Sequence, residues 1–308
     1  MCIAFAAAAL QSCSNDDCSI SQGVIDNGLA QQGESKSAPE KVQITLRGIA
    51  DGDAGISKTH LTPNPEKTAT GGQLVYFDKG DAISVWDGSD WNAFSADDGG
   101  ATAEFTGTAT DVASYTIVYP YKDGGFEFDG TNVKVTIPAT QTAVNGSFDP
   151  NANVSVAISK DDGTFQLLNV CSLLKIVVPA GAEYKKIVVT SNDGSKIAGT
   201  ISVDPDDGTA GTSITNGTRS ITLSPASGST IGDGDYYVAL IPQALKTGLR
   251  VLCYNKDNEF FAKYCKRDNL IMERSKGKTA KMDDFDWQGI VFDVNGVELR
   301  MVPVTGNN

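Results

Sequence analysis

The sequence predicts an all-β protein built as two tandem β-sandwich domains with little helix. Three observations carry this expectation. After residue 40, short runs of Val, Ile, Thr, Tyr and Phe alternate with polar residues; Asp-Gly, Asn-Gly and Asp-Pro punctuate the runs; and no window keeps helical periodicity for more than two turns. At roughly 150 residues per domain, 308 residues suit two domains, each large enough to bury its own core.

The first element is an export signal over residues 1–12. Ile3 to Leu10 is an apolar run too short to span a bilayer but suited to the hydrophobic part of a signal peptide. It ends in Leu10-Gln11-Ser12-Cys13, the pattern at which bacterial lipoprotein signals are cut and the Cys acylated, so Cys13 is the expected lipidation site. The polar Ser14-Asn15-Asp16-Asp17 directly after it resembles a surface-export signal and is foreign to a buried strand. No Lys or Arg precedes the apolar run, which leaves open whether Met1 is the true start. Acyl chains on one cysteine bury many methylenes at about 0.8 kcal/mol each, giving a stable anchor in the outer membrane without a spanning helix.

Residues 13–40, rich in Ser, Gln, Asn, Asp and Gly, read as a flexible tether. The N-terminal sandwich, 41–163, carries expected strands at Val42 to Leu46, Gln73 to Phe77, Ala82 to Trp86, Ala101 to Phe105, Ser114 to Tyr119, Val133 to Ile137 and Val154 to Ile158. The polar break Ser159-Lys160-Asp161-Asp162-Gly163 then marks the expected domain boundary. The C-terminal sandwich, 164–288, carries Ser172 to Val178, Tyr184 to Thr190, Ile197 to Val203, Ser220 to Leu223, Asp235 to Leu240, Gly248 to Tyr254 and Phe260 to Lys266. Residues 289–308 form a further β-hairpin around Asn295-Gly296, the strongest short-range signal for a type I′ turn. Ile290, Phe292 and Val294 repeat at period two, as do Val297, Leu299 and Met301. An apolar ribbon appended to a complete sandwich invites pairing with a foreign sheet edge.

The composition excludes several classes of function. A formal charge of −13 argues against a nucleic-acid partner, because phosphate backbones are bound by clustered Lys and Arg. The single histidine, His60, rules out schemes that need two imidazoles and sits among Lys58, Thr59, Thr62 and Pro63 as an expected turn residue. No metal site of usual Cys/His spacing can be assembled, and no cofactor is expected. Ser172-Leu173-Leu174-Lys175 imitates an SxxK catalytic string, but a strand sends positions three apart to opposite faces. Asp204 to Thr215 begins like a calcium loop yet ends in Thr where a bidentate Glu belongs. No nucleophile or acid pair stands out, so an enzyme is not expected. Trp86 and Trp91 bracket Asp87-Gly88-Ser89-Asp90 and are expected as a cross-strand pair closing a hairpin, with a sugar-stacking platform as the other option. Cys18, Cys171, Cys253 and Cys265 could pair in an oxidising compartment. A two-residue turn at Asp257-Asn258 would place Cys253 opposite Ala262, so isolated thiols are equally expected.

Five strings, in order, resemble the fimbrillin family, the lipoprotein pilins of type V pili. They are 77–86 (FDKGDAISVW), 115–121 (YTIVYPY), 137–142 (IPATQT), 165–175 (FQLLNVCSLLK) and 236–242 (YYVALIP). The resemblance covers the chain from Cys13 to about Trp287. It implies two transthyretin-like Greek-key sandwiches and a structural fimbrial subunit that is anchored as a lipoprotein, cut by an Arg-specific protease and polymerised by strand exchange. By that resemblance the removable first strand presents Val42, Ile44 and Leu46, and the cut falls after Arg47, ahead of a Gly- and Asp-rich loop from Gly48 to Gly55. Three such side chains, if buried, contribute roughly 1.5–3 kcal/mol each. The donor strand offered to the next subunit carries Ile290, Phe292, Val294, Leu299 and Met301. The expected partners are other fimbrial subunits, the maturation protease, the outer membrane through the lipid, and a host or bacterial surface ligand. A tip or anchor subunit, or a surface lipoprotein that binds glycans through Trp86, Trp91 or Trp287, are the alternatives.

Overall fold

A computed structural model describes residues 40–49, 60–63, 73–226, 230–258, 260–265 and 269–281. All secondary structure among these residues is β, as the alternation of apolar and polar residues requires. In chain order the strands are β1 (Lys41–Ile49), β2 (His60–Pro63), β3 (Gln73–Tyr76), β4 (Ala82–Trp86), β5 (Trp91–Ala96), β6 (Thr102–Thr110), β7 (Thr116–Tyr119), β8 (Glu127–Phe128), β9 (Val133–Ile137), β10 (Thr140–Ala143), β11 (Ser155–Ile158) and β12 (Thr164–Gln166). Next come β13 (Leu168–Asn169), β14 (Ser172–Val178), β15 (Lys186–Ser191), β16 (Ala198–Val203), β17 (Ala210–Thr218), β18 (Ser220–Pro225), β19 (Gly234–Leu240), β20 (Gln243–Leu245), β21 (Leu249–Tyr254), β22 (Phe260–Cys265), β23 (Leu270–Met272) and β24 (Gly277–Lys281).

The largest sheet has eight strands in the order β12-β1-β6-β5-β4-β7-β11-β13. Its two edge strands, β12 and β13, are separated in sequence by Leu167 alone, which is fully buried. Consecutive Cα atoms lie ~3.8 Å apart, so the edges must come within about 7.6 Å of each other. The sheet therefore curls round a core of its own residues, which includes Leu46, Phe77, Ile83, Phe94, Phe105, Ile117, Tyr119, Phe165 and Leu167.

A second core lies on the outer face of β7 and β11, and the period-two geometry of a strand explains how one strand serves both. On β7, Ile117 and Tyr119 point into the first core while Val118 points into the second; on β11, Ala157 and Val156 divide in the same way. The pair β14 and β19 repeats the device. Leu173, Tyr237 and Ala239 belong to the second core, whereas Leu174, Ile176, Val178, Tyr236, Val238 and Leu240 belong to a third. The third core is closed by the five-stranded sheet β10-β18-β15-β21-β22 through Ile187, Val189, Ile221, Leu223, Val251 and Cys253. Strands buried on both faces read as continuous apolar runs, which is why β7 and β14 are plain in the sequence.

Sheet pairing crosses the 159–163 break. This segment is the tight turn between β11 and β12, where Lys160 N donates to Thr164 O at 2.7 Å. On its far side β16 pairs with β9 and β18 pairs in parallel with β10, so strands from before the break complete the later sheets. His60 corrects one expectation: it lies in β2 opposite Tyr76, not in a turn. Cys253 is opposite Phe261, one residue from the expected register, because the loop between β21 and β22 runs over 255–259 instead of two residues. Cys171 and Cys253 are buried as thiols in different cores. Cys13, Cys18 and residues 282–308, which include Trp287 and the whole expected donor ribbon, lie outside the described residues.

Candidate functional site

The site is the seat of β1. All nine of its residues pair antiparallel with β6, from Lys41 opposite Thr110 to Ile49 opposite Thr102. Its last three, Arg47 to Ile49, also pair in parallel with β12. The strand is longer than the alternation of Val42 to Leu46 implied, because Gly48 continues the inward face without a side chain to betray it. Arg47 and Gly48 are thus inside the ladder, and the expected loop begins no earlier than residue 50. Arg47 is exposed, and its amide donates to Gly163 O at 3.0 Å.

Burial along β1 is graded, not uniform. Val42 is 42% exposed, Ile44 is half-buried, and Leu46 is 1% exposed. Gly48 is buried at the deep end, against a cage of three phenylalanines. A Cβ added there would lie 2.9 Å from Phe165 Cζ and 3.0 Å from both Phe105 Cε2 and Phe77 Cζ. Phe77 and Phe105 meet edge to face with centroids 5.0 Å apart, and Phe105 and Phe165 lie 5.8 Å apart. A side chain there would force at least one of the three rings to shift. Of the three inward residues expected to anchor the strand, Leu46 carries the full burial, Ile44 part of it, and Val42 sits at the open end.

At the open end the contacts are polar instead. Lys41 Nζ donates to Asn92 Oδ1 at 2.7 Å and lies 3.2 Å from Asp90 Oδ2 and 4.0 Å from Asp87 Oδ2. Asp87 is buried in the turn between β4 and β5 and accepts from the amides of Ser89, Asp90 and Thr110 and from the Ser89 hydroxyl. Burial by itself would raise this carboxyl, but the bonds from Thr110, Asp90 and Ser89 outweigh it and hold the group well below the usual carboxylate range. An anion is thereby fixed beside the start of β1.

The tryptophans have a structural use. Trp86 and Trp91 are directly opposite across the β4–β5 hairpin, with centroids 5.5 Å apart, as the cross-strand reading expects. Both rings also meet Phe128, and Trp91 packs on Phe126 while its indole N–H donates to Phe126 O at 2.7 Å. The pair joins the hairpin to the β8 region. The alternation in the sequence marks the inward face of β1, while Gly48, Lys41, Asp87 and the phenylalanine cage carry no local signal that joins them to it. Asp87-Gly88-Ser89-Asp90 was visible as a turn; nothing local tied it to Lys41.

No protein-family model and no curated protein matches the sequence. Among solved structures, the chain is similar to a provisionally named cell adhesion protein from Bacteroides uniformis, at 14% identity over 79% of this chain and 93% of that one, with a TM-score of 0.47. A second provisionally named cell adhesion protein, from Bacteroides ovatus, shares 12% identity over 82% of this chain and 97% of that one, with a TM-score of 0.45. A fimbrial protein from Bacteroides ovatus shares 13% identity over 79% of this chain and 49% of that one, with a TM-score of 0.36.

Proposed function

We propose that this chain is a structural subunit of a cell-surface fimbria, exported as a lipoprotein through Cys13 and joined to its neighbours by strand exchange at the seat of β1. The observation that carries the reading is the placement of β1. It is the first strand among the described residues, inserted between two others, its inward residues pack into the first core, and an Arg-Gly bond lies within it. Removing the strand up to Arg47 takes Leu46 out of an apolar core and strips the inner ladder groups of β6 opposite residues 41–47 of their partners. Burying Leu46 contributes roughly 1.5–3 kcal/mol, and unpaired buried backbone groups cost more, so a vacated seat is strongly driven to refill. A strand of the same period from another copy, drawn from the ribbon with Ile290, Phe292, Val294, Leu299 and Met301, meets both needs.

Cleavage after Arg47 is the trigger on this reading. The test treats the full-length precursor with an Arg-specific protease and follows the product by mass spectrometry, gel laddering and electron microscopy. A cut after Arg47 followed by laddered oligomers is the expected result. Cut monomers that stay apart at high concentration would overturn the reading.

A further inference from the structure

We infer that the cleft between the β7–β8 loop and the outer face of β9 is a binding site for a carboxylate-bearing sugar, with Lys122 meeting the carboxylate and Tyr121 the apolar face of the sugar ring. The inference is independent of strand exchange, because none of the cleft's lining comes from β1. The cleft holds about 340 Å³. Small-molecule sites begin at roughly 300 Å³, so it suits a ligand of about one sugar residue. Strand geometry supplies one side of it. Val133, Val135 and Ile137 are buried in the second core, which turns the alternate residues of β9, Lys134 and Thr136, outward into the cleft. Val154, 4% exposed, adds an apolar patch to the lining, and Asn151 a side-chain amide.

The loop that carries Tyr121 and Lys122 is braced from behind. The Gly125 amide donates to Lys122 O at 2.9 Å, closing a turn in which Gly125 has a φ of +73°. This turn packs so closely on Trp91 that a Cβ at Gly125 would meet its ring at 2.3 Å. Phe126 is fixed by the same indole, through ring contact and its N–H, and Lys122 Nζ lies 5.3 Å from the Phe126 centroid. A site built in advance binds without the cost of ordering a loop.

Charge and shape then select the ligand. Lys134 is ion-paired with Glu127, and the Tyr121 hydroxyl donates to Asp123 Oδ1 at 3.4 Å. Among the described residues Lys122 has no carboxylate partner, and no acidic side chain lines the cleft. An uncompensated ammonium on a chain of formal charge −13 favours an anion. A simple anion would leave the ring of Tyr121 unused, although it is one of four large apolar side chains exposed among the described residues. An aromatic ring can take the C–H face of a pyranose, while the Asn151 amide and the Thr136 hydroxyl, which is shared with Thr200, serve its hydroxyl groups. A sialic or uronic acid engages all of these groups; a neutral sugar gains nothing from the ammonium.

The test titrates the full-length, uncut chain with sialyllactose, glucuronic acid, lactose and acetate, followed by ligand-observed NMR and calorimetry. At least one acidic sugar is expected to bind about tenfold or more tighter than lactose and acetate, the factor that a hydrogen bond to a charged group supplies. Which of the two acidic sugars binds identifies the source of the carboxylate. Lys122→Ala and Tyr121→Ala should each weaken that binding about tenfold without a change in melting, and Lys122→Arg, which keeps the charge, should retain most of it. Lys256→Ala removes an exposed lysine outside the cleft and should have no effect. Lactose or acetate binding as tightly as the acidic sugars, no binding of either acidic sugar at millimolar concentration, or binding that survives both Lys122→Ala and Tyr121→Ala would overturn the site. None of these results bears on strand exchange, which is read by laddering after cleavage.

Discussion

At the residue scale, the seat of β1 is decided by an absence and a fixed charge. Gly48 owes its place to the three rings around it and not to its backbone, since its strand conformation suits any residue. Val has the better β-propensity, so Gly48→Val separates the two effects. It is expected to lower the stability of the uncut chain by about 1–3 kcal/mol, the usual cost of overpacking, as read by denaturant unfolding. Unchanged stability would mean that the cage yields freely. Asp87 supplies a second residue-scale prediction. Its carboxyl is held below its ordinary range when folded, so the stability it contributes is present above the unfolded value of about 3.9 and is lost as pH falls from there toward the folded value. Asp87→Asn replaces an acceptor oxygen by a donor among amides that already donate. It should cost about 1–3 kcal/mol at neutral pH. The gap between wild type and variant should then narrow in thermal melts below about pH 4. A gap that is the same at pH 7 and pH 3 would refute the assignment.

At the element scale, β1 is anchored chiefly at its deep end, and this sets how the Arg47 bond is reached. The bond lies in a stretch paired on both sides, and proteases take substrates as extended, unpaired chain. The proposed cut after Arg47 would therefore have to wait for local opening. Lys41 and Asp90 are partly exposed, and their ion pair is worth about 0–1 kcal/mol, so it does little to govern that opening. Leu46 does more. Leu46→Ala should lose about 2–5 kcal/mol of packing and speed cleavage after Arg47, whereas Val42→Ala at the open end should leave the rate nearly unchanged. Equal rates for wild type and Leu46→Ala in a time course by mass spectrometry would show that opening does not limit the cut. The same contrast explains what the sequence could reveal. The alternation of Val42, Ile44 and Leu46 marked a strand, and the doubly buried β7 and β14 stood out as apolar runs. β17 did not, because Ala210–Thr218 is a mostly exposed edge with no apolar period. Nor did β10, whose buried Gln141 spends its side chain on Pro138 O and on the backbone of Ala239 in place of apolar contact. The cage escaped for another reason: Phe77, Phe105 and Phe165 come from three runs that only the curled sheet brings together.

At the scale of the whole molecule, three cores share their walls. β7 and β11 separate the first from the second, and β14 and β19 separate the second from the third. A wall strand is useful only if both of its faces are covered. The polar break at 159–163 looks like a boundary in composition, but strands before it are structural parts of the sheets after it. β9 covers Ile201 and Val203 of β16 from its own Val133, Val135 and Ile137, and β10 supplies an edge of the sheet that closes the third core. Residues 164–281 expressed alone would therefore expose the second-core face of β14, β16 and β19 and leave the β16 and β18 edges unpaired, losses larger than the net stability of a domain of that size. The fragment is expected to lack dispersed amide resonances and to bind a hydrophobic dye, while residues 40–281 give a dispersed spectrum and one cooperative melt. A folded 164–281 fragment would mean that each side of the break carries its own complete core. In that case, cutting at Arg47 would act on an independent unit. With shared walls, the proposed loss of β1 would instead fall on the first core, and the second and third cores would brace the seat.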